Sequence, residues 1–241
     1  MTRPAIILAA AALAAGCASP PPAPYDYGPY LDHMPKSILV LPPLDETHEV
    51  GAGYSFLSTV TRPLAEHGYY VFPVAVVDEF MKAEGCPTPT EMRLAPLDKL
   101  GLAFGADAVL YLTVMKWGTS YQLLNSQTSV AVSGRLVDIR TGTQIWSGGA
   151  AITRNSNDGG GGGRDAGAIL VGMLVKAVVN QIVASATDPS HDLAPAVSHG
   201  LVYNDHHGLL PGPRDAHFDE DQRRRRAPPV EPSTTTDAGK P

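Results

Sequence analysis

Hydrophobic and polar positions divide the middle of the chain into short alternating elements. Ser37-Ile38-Leu39-Val40-Leu41 is a continuous apolar run closed by Pro42-Pro43, which predicts a buried strand. Phe56, Leu57, Val60 and Leu64 recur at helical spacing and predict a helix over 53–66, with Gly68 as its C-terminal stop. Tyr69–Val74 predicts a second strand with Pro73 near its end. Short helices follow over Val76–Ala83 and Leu97–Phe104, with another helix start at Thr88-Pro89-Thr90-Glu91. Three strands close the pattern: Ala108–Trp117, Ser129–Ile139 and Gln144–Ile152. The turn Asp138–Thr143 joins the last two, with Gly142 able to supply a positive φ. Two β-α units followed by a meander predict an α/β fold, a mixed sheet packed with helices.

After Asn155 the pattern changes. Five consecutive glycines, Gly159–Gly163, predict a flexible loop, and a helix is expected from Asp165 to about Ala186. Apolar residues cover nearly its whole circumference, so it needs burial on more than one side. One side is assigned to the sheet, and Ile169, Leu170, Met173, Leu174 and Val178 are the candidate subunit contact. Beyond Pro189 the periodicity weakens, and residues 188–241 read as a weakly structured to disordered tail.

The N-terminus has a separate logic. Arg3 and the terminal amine precede an apolar stretch from Ile6 to Ala15, too short for a bilayer core that takes roughly 20 helical residues. Ala14, Ala15 and Gly16 then lead into Cys17. This layout predicts a lipoprotein signal peptide over 1–16, with Cys17 acylated after cleavage. The competing reading is an ordinary secretory signal with an incidental cysteine. Several acyl chains hold a protein stably at a membrane where one holds it weakly. Ala18, rather than Asp, points to the outer membrane and the periplasm. Residues 17–35, rich in Pro and Tyr, read as a tether to a domain over 36–187, on which Tyr25, Tyr27 and Tyr30 are expected to dock.

Composition narrows the chemistry. A net charge of −6 gives no basic footprint for nucleic acid. With Cys17 lipidated, Cys86 has no partner among the two cysteines. The glycine run lacks the Lys-Ser/Thr pair of a phosphate loop. His206, His207 and His217 with Asp205 and Asp215 match no compact zinc spacing. Arg223–Arg226 adjoins Asp219-Glu220-Asp221 and reads as solvated chain. No nucleophile elbow or carboxylate pair stands out, so no catalytic residue, metal or cofactor is assigned.

Four motifs carry a resemblance: Gly105-Ala106-Asp107-Ala108-Val109-Leu110, Trp117-Gly118, Val137-Asp138-Ile139-Arg140-Thr141-Gly142 and Ile145-Trp146-Ser147-Gly148. In this order they resemble a family of bacterial lipoproteins of unknown function, of the neisserial surface-antigen type. Its fold is similar to the TolB N-terminal domain (anticodon-binding-like), CsgG and LpoB. The resemblance covers roughly residues 32–187. It implies a non-catalytic outer-membrane lipoprotein that binds other envelope proteins, with a CsgG-like secretion lipoprotein as the expected partner and a homo-oligomer as a further expectation. Regulation of peptidoglycan synthesis is the alternative, and an envelope hydrolase the alternative from another class. Read as residues, Asp107 caps a turn, Asp138 and Arg140 pair at a hairpin, and Trp117 and Trp146 pack across neighbouring strands.

Overall fold

The computed structural model describes residues 24–121, 126–155 and 188–219. Its centre is a mixed sheet of β1 (Ser37–Val40), β2 (Leu44–Asp45), β3 (Tyr70–Val71), β4 (Ala108–Tyr121), β5 (Ser126–Asp138) and β6 (Gln144–Asn155). The order is β3-β1-β4-β5-β6, with β2 also pairing with β4. The pairs β1–β3, β1–β4 and β2–β4 are parallel, whereas β4–β5 and β5–β6 are antiparallel. Pro42 and Pro43 cannot donate to a ladder, so the first strand breaks there and resumes as β2 beside Thr113 and Val114.

Helices cover both faces. On one face lies α2 (Ala52–Glu66); on the other lie α3 (Val74–Ala83), α4 (Pro89–Arg93) and α5 (Leu97–Phe104). Strand alternation sorts the core accordingly. Ile38, Val40, Leu110 and Leu112 meet Phe56, Val60 and Leu64 of α2, while Leu39, Leu41 and Val109 meet Val77, Met81, Met92 and Leu100. The predicted second strand is shorter than expected. It ends at Val71 because Pro73 becomes the N-cap of α3, which starts at Val74. The three meander strands run further than their hydrophobic pattern, with β4 reaching Tyr121 and β6 reaching Asn155.

Two further segments belong to this domain. The α1 helix (Gly28–His33) buries Tyr30 completely, and Tyr25 and Tyr27 pack on the same core. The docked unit therefore begins inside the stretch read as a tether. Residues 188–219, read as a weakly structured tail, contain α6 (Ala194–Val202). Ala194, Val197 and Leu201 occupy one helical face and are at most 1% exposed against α2 and the sheet. Pro195 stands in the first helical turn, where its missing N–H costs nothing. The helix expected over 165–186 and the tail from Glu220 onward lie outside the described residues.

Candidate functional site

The motif residues make local structural contacts. Asp107 Oδ2 accepts hydrogen bonds from the backbone N–H of Lys36 and Ser37 and from the Ser37 hydroxyl, at 2.9, 3.0 and 2.9 Å. It thereby fixes the start of β1 beside β4. Asp138, 2% exposed, accepts from the Thr141 N–H and hydroxyl, both at 2.8 Å, and Arg140 lies 4.0 Å away. Gly142 completes that turn at φ 73°.

The tryptophans do not pair with each other. Trp117 on β4 stands opposite Val130, and Trp146 on β6 stands opposite Leu136, with β5 between them. Each instead holds the C-terminal segment. Trp117 Nε1 donates to Asp188 Oδ2 at 3.0 Å, and Trp146 Nε1 donates to the His207 carbonyl at 2.9 Å. A second line of bonds continues this strap. His67 Nε2 donates to the Leu209 carbonyl at 2.8 Å, the Tyr69 hydroxyl donates to the Leu210 carbonyl, and Tyr30 and Tyr69 share a hydroxyl bond. Tyr27 donates to the Gly208 carbonyl at 2.6 Å, tying the N-terminal segment to the same strap. Gly68, at φ 89°, passes so close to Gly212 and Asp215 that a Cβ would overlap them.

One cavity, of about 450 Å³, lies over the meander on the face shared with α4. The register places Tyr111 beside Arg135 and Thr113 beside Ser133, and then Arg135 beside Ser147 and Ser133 beside Gly149. Arg93, in the last turn of α4, donates to the Thr113 hydroxyl at 3.1 Å. Arg93 and Arg135 both stack on the Tyr111 ring, with guanidinium carbons 5.4 and 4.6 Å from its centroid. Neither makes an ion pair with a described residue. Arg135 Nε is buried and has no hydrogen-bond partner among the described residues. Burial, then the neighbouring Arg135 charge, pulls Arg93 below the ordinary arginine value; Tyr111 and Glu46 act against this. Burial raises the Tyr111 phenol, opposed by both arginines.

Sequence reasoning missed this cluster. The available signal was Arg135, flanked by Gly134 and Leu136 in a strand with no acidic residue on its neighbouring rungs. A second cavity, of about 480 Å³, is walled by α3 and α5 and includes Cys86, which is partly buried and unpaired among the described residues. Asn204 Oδ1 accepts from the backbone N–H of His206 and His207, and His217 lies beside Asp215. Among the described residues no three His, Cys, Asp or Glu side chains are grouped to hold a metal, and no helix is long and apolar enough to cross a membrane. Cys17 and the candidate contact residues Ile169, Leu170, Met173, Leu174 and Val178 lie outside the described residues.

Fold and contacts together define a mixed α/β domain whose motif residues build the scaffold and whose C-terminal strap packs on one face. A family model described as GNA1162-like, "Putative lipoprotein GNA1162-like", matches residues 25–214. The chain belongs to this family of lipoproteins. It is 42% identical over 215 residues to "Putative lipoprotein NMB1124/NMB1162" of Neisseria meningitidis serogroup B, covering 88% of this chain and 96% of the relative. Among solved structures, lipoprotein GNA1162 from N. meningitidis is 48% identical, with a TM-score of 0.49, over 62% of this chain and 99% of that one. The LpoB C-terminal domain from Escherichia coli is 20% identical, with a TM-score of 0.35, over 54% of this chain and 100% of that one. The matched range begins at Tyr25 and ends at Arg214, and so takes in both segments that the sequence pattern left outside the domain.

Proposed function

We propose that the protein is an outer-membrane lipoprotein, anchored through Cys17 and facing the periplasm, that serves as a non-catalytic protein-interaction subunit of a cell-envelope assembly. Membership of the lipoprotein family is the observation that carries this reading. The roles of the motif residues support it. Asp107, Asp138, Trp117 and Trp146 are each occupied in holding strands, a turn or the strap. A CsgG-like secretion lipoprotein is the first partner class, and a peptidoglycan synthase is the second. The test is co-purification of the lipidated full-length protein from cross-linked envelopes, with partners identified by mass spectrometry. Recovery of either class, in amounts comparable to the bait, supports an interaction subunit and selects between them. Recovery of neither, together with turnover of acyl or glycan substrates by the purified protein, overturns the reading.

A further inference from the structure

The Arg93–Tyr111–Arg135 cluster contains no direct ion pair. Two guanidiniums flank one buried ring, neither is bridged to a carboxylate among the described residues, and Glu46 acts on Arg93 only through space. Like charges held this close raise the free energy of the unliganded domain unless an anion offsets them. The rest of the wall carries no acidic side chain: Ser133, Ser147 and Gly149 face the cavity, with Gln144 and His207 beside them. Arg135 Nε is buried and has no hydrogen-bond partner among the described residues, so the domain's own groups do not use that edge of the guanidinium. A guanidinium offers a planar fork of donors whose geometry matches a carboxylate. The cavity, at about 450 Å³, takes an acidic side chain and its flanking backbone.

We propose that Arg93 and Arg135, spaced by Tyr111, form a recognition site for a carboxylate displayed on an acidic segment of a partner polypeptide. The inference rests on the interaction-subunit reading and deepens it, since it names the chemistry the partner brings to this face.

Fluorescence anisotropy tests it, using the full-length protein in mild detergent and a labelled peptide carrying alternating Glu and Gly. A matched peptide with Gln at each Glu position and inorganic phosphate serve as controls. The Glu peptide is expected to bind and the Gln peptide to bind at least roughly tenfold more weakly, with affinity falling as salt rises. Arg135→Lys keeps the charge and much of the stem, and it is expected to weaken binding without unfolding the domain. Arg93→Gln is expected to weaken it roughly tenfold or more, and thermal melts establish that each variant is folded. Equal binding of the Glu and Gln peptides, or unchanged affinity in both folded variants, overturns the proposal. Displacement of the peptide by phosphate at equal concentration overturns the assignment to a carboxylate. Loss of peptide binding alongside successful capture of an envelope partner would sink this site and leave the interaction-subunit reading standing.

Discussion

The indole N–H of Trp146 donates to the carbonyl of His207 at 2.9 Å, across 61 residues of chain. It is one of several bonds by which β4, β6 and the α2–β3 turn hold residues 188–215, so this segment is part of the folded unit. Leu201, 1% exposed, sits under the strap in the core shared with Val60 and Leu64. Leu201→Ala is expected to cost about 2–5 kcal/mol, as full-size cavities in a core do. Trp146→Phe keeps most of the ring and loses the bond, and is expected to cost about 1 kcal/mol. Thermal unfolding followed by circular dichroism checks both. An unchanged melting temperature for Leu201→Ala would mean that the segment is an accessory rather than part of the core.

What was legible in the chain followed from local periodicity. Ile38, Leu39 and Val40 precede Pro42 and lie in an interior strand of the sheet, fully buried, and an unbroken apolar run carries that information by itself. Helix α2 likewise showed its buried face at Phe56, Leu57, Val60 and Leu64. Helix α6 did not, because its burial comes from distant partners, α2 and the sheet, with the Ser198 hydroxyl meeting that of Thr59 at 2.7 Å. The extra rungs of β4 to β6 are polar and are held by pairing rather than by core contacts. The arginine cluster was hidden for a similar reason. Arg93 and Arg135 converge only after α4 docks and the β4–β5 register places Tyr111 beside Arg135.

Asp138 offers a test of the motif at the β5–β6 turn. Its buried carboxylate accepts two bonds from Thr141, so the turn closes around it. Asp138→Ala leaves the Thr141 N–H without its acceptor and is expected to destabilise by about 1–3 kcal/mol. Thr141→Val removes one of the two bonds and is expected to cost less. Chemical denaturation with unchanged slope and a lower midpoint is the expected readout; identical midpoints would deny the turn this role.

Alkaline pH should weaken the fold through its tyrosines. The phenols of Tyr54, Tyr111 and Tyr203 are all raised, in each case first by burial. A phenol with a raised folded value stays protonated while the unfolded chain ionises at the ordinary value of about 10. Its stabilising contribution is therefore complete below that pH and is lost as pH climbs through the folded value. Lys82, raised first by its hydrogen bond to Asp78, changes in the same direction. The melting temperature is expected to fall steadily above pH of about 10, and Tyr111→Phe should flatten the decline. A profile with the same slope in wild type and Tyr111→Phe would show that this phenol does not contribute.

The proposed membrane anchor rests on one residue. If Cys17 carries the lipid, Cys17→Ser should abolish incorporation of labelled fatty acid and move the protein from the membrane to the soluble fraction. No helix among the described residues is long and apolar enough to cross a membrane. Continued membrane association of an unlabelled Cys17→Ser protein would point to another anchor.

The Trp146-Ser147-Gly148 motif has a packing explanation that can be tested at the glycine. Residues two apart on a strand share a face, so the Trp146 ring folds over Gly148, and a Cβ there would overlap the ring, with Cη2 at 3.0 Å. Gly134, directly opposite Gly148 on β5, lies under the same ring, with Cζ3 at 3.4 Å from where its Cβ would stand. Two glycines thus form the slot that aims the indole N–H at His207. Gly148→Ala is expected to tilt the ring out of that slot, costing about 1–3 kcal/mol by overpacking and weakening the hold on the strap. Trp146→Phe should relieve part of the clash, so the double variant should be less destabilised than the sum of the single changes. Melts of the two single variants and the double variant form the cycle that measures this. Simple additivity would mean that Gly148 is required for a reason other than the indole.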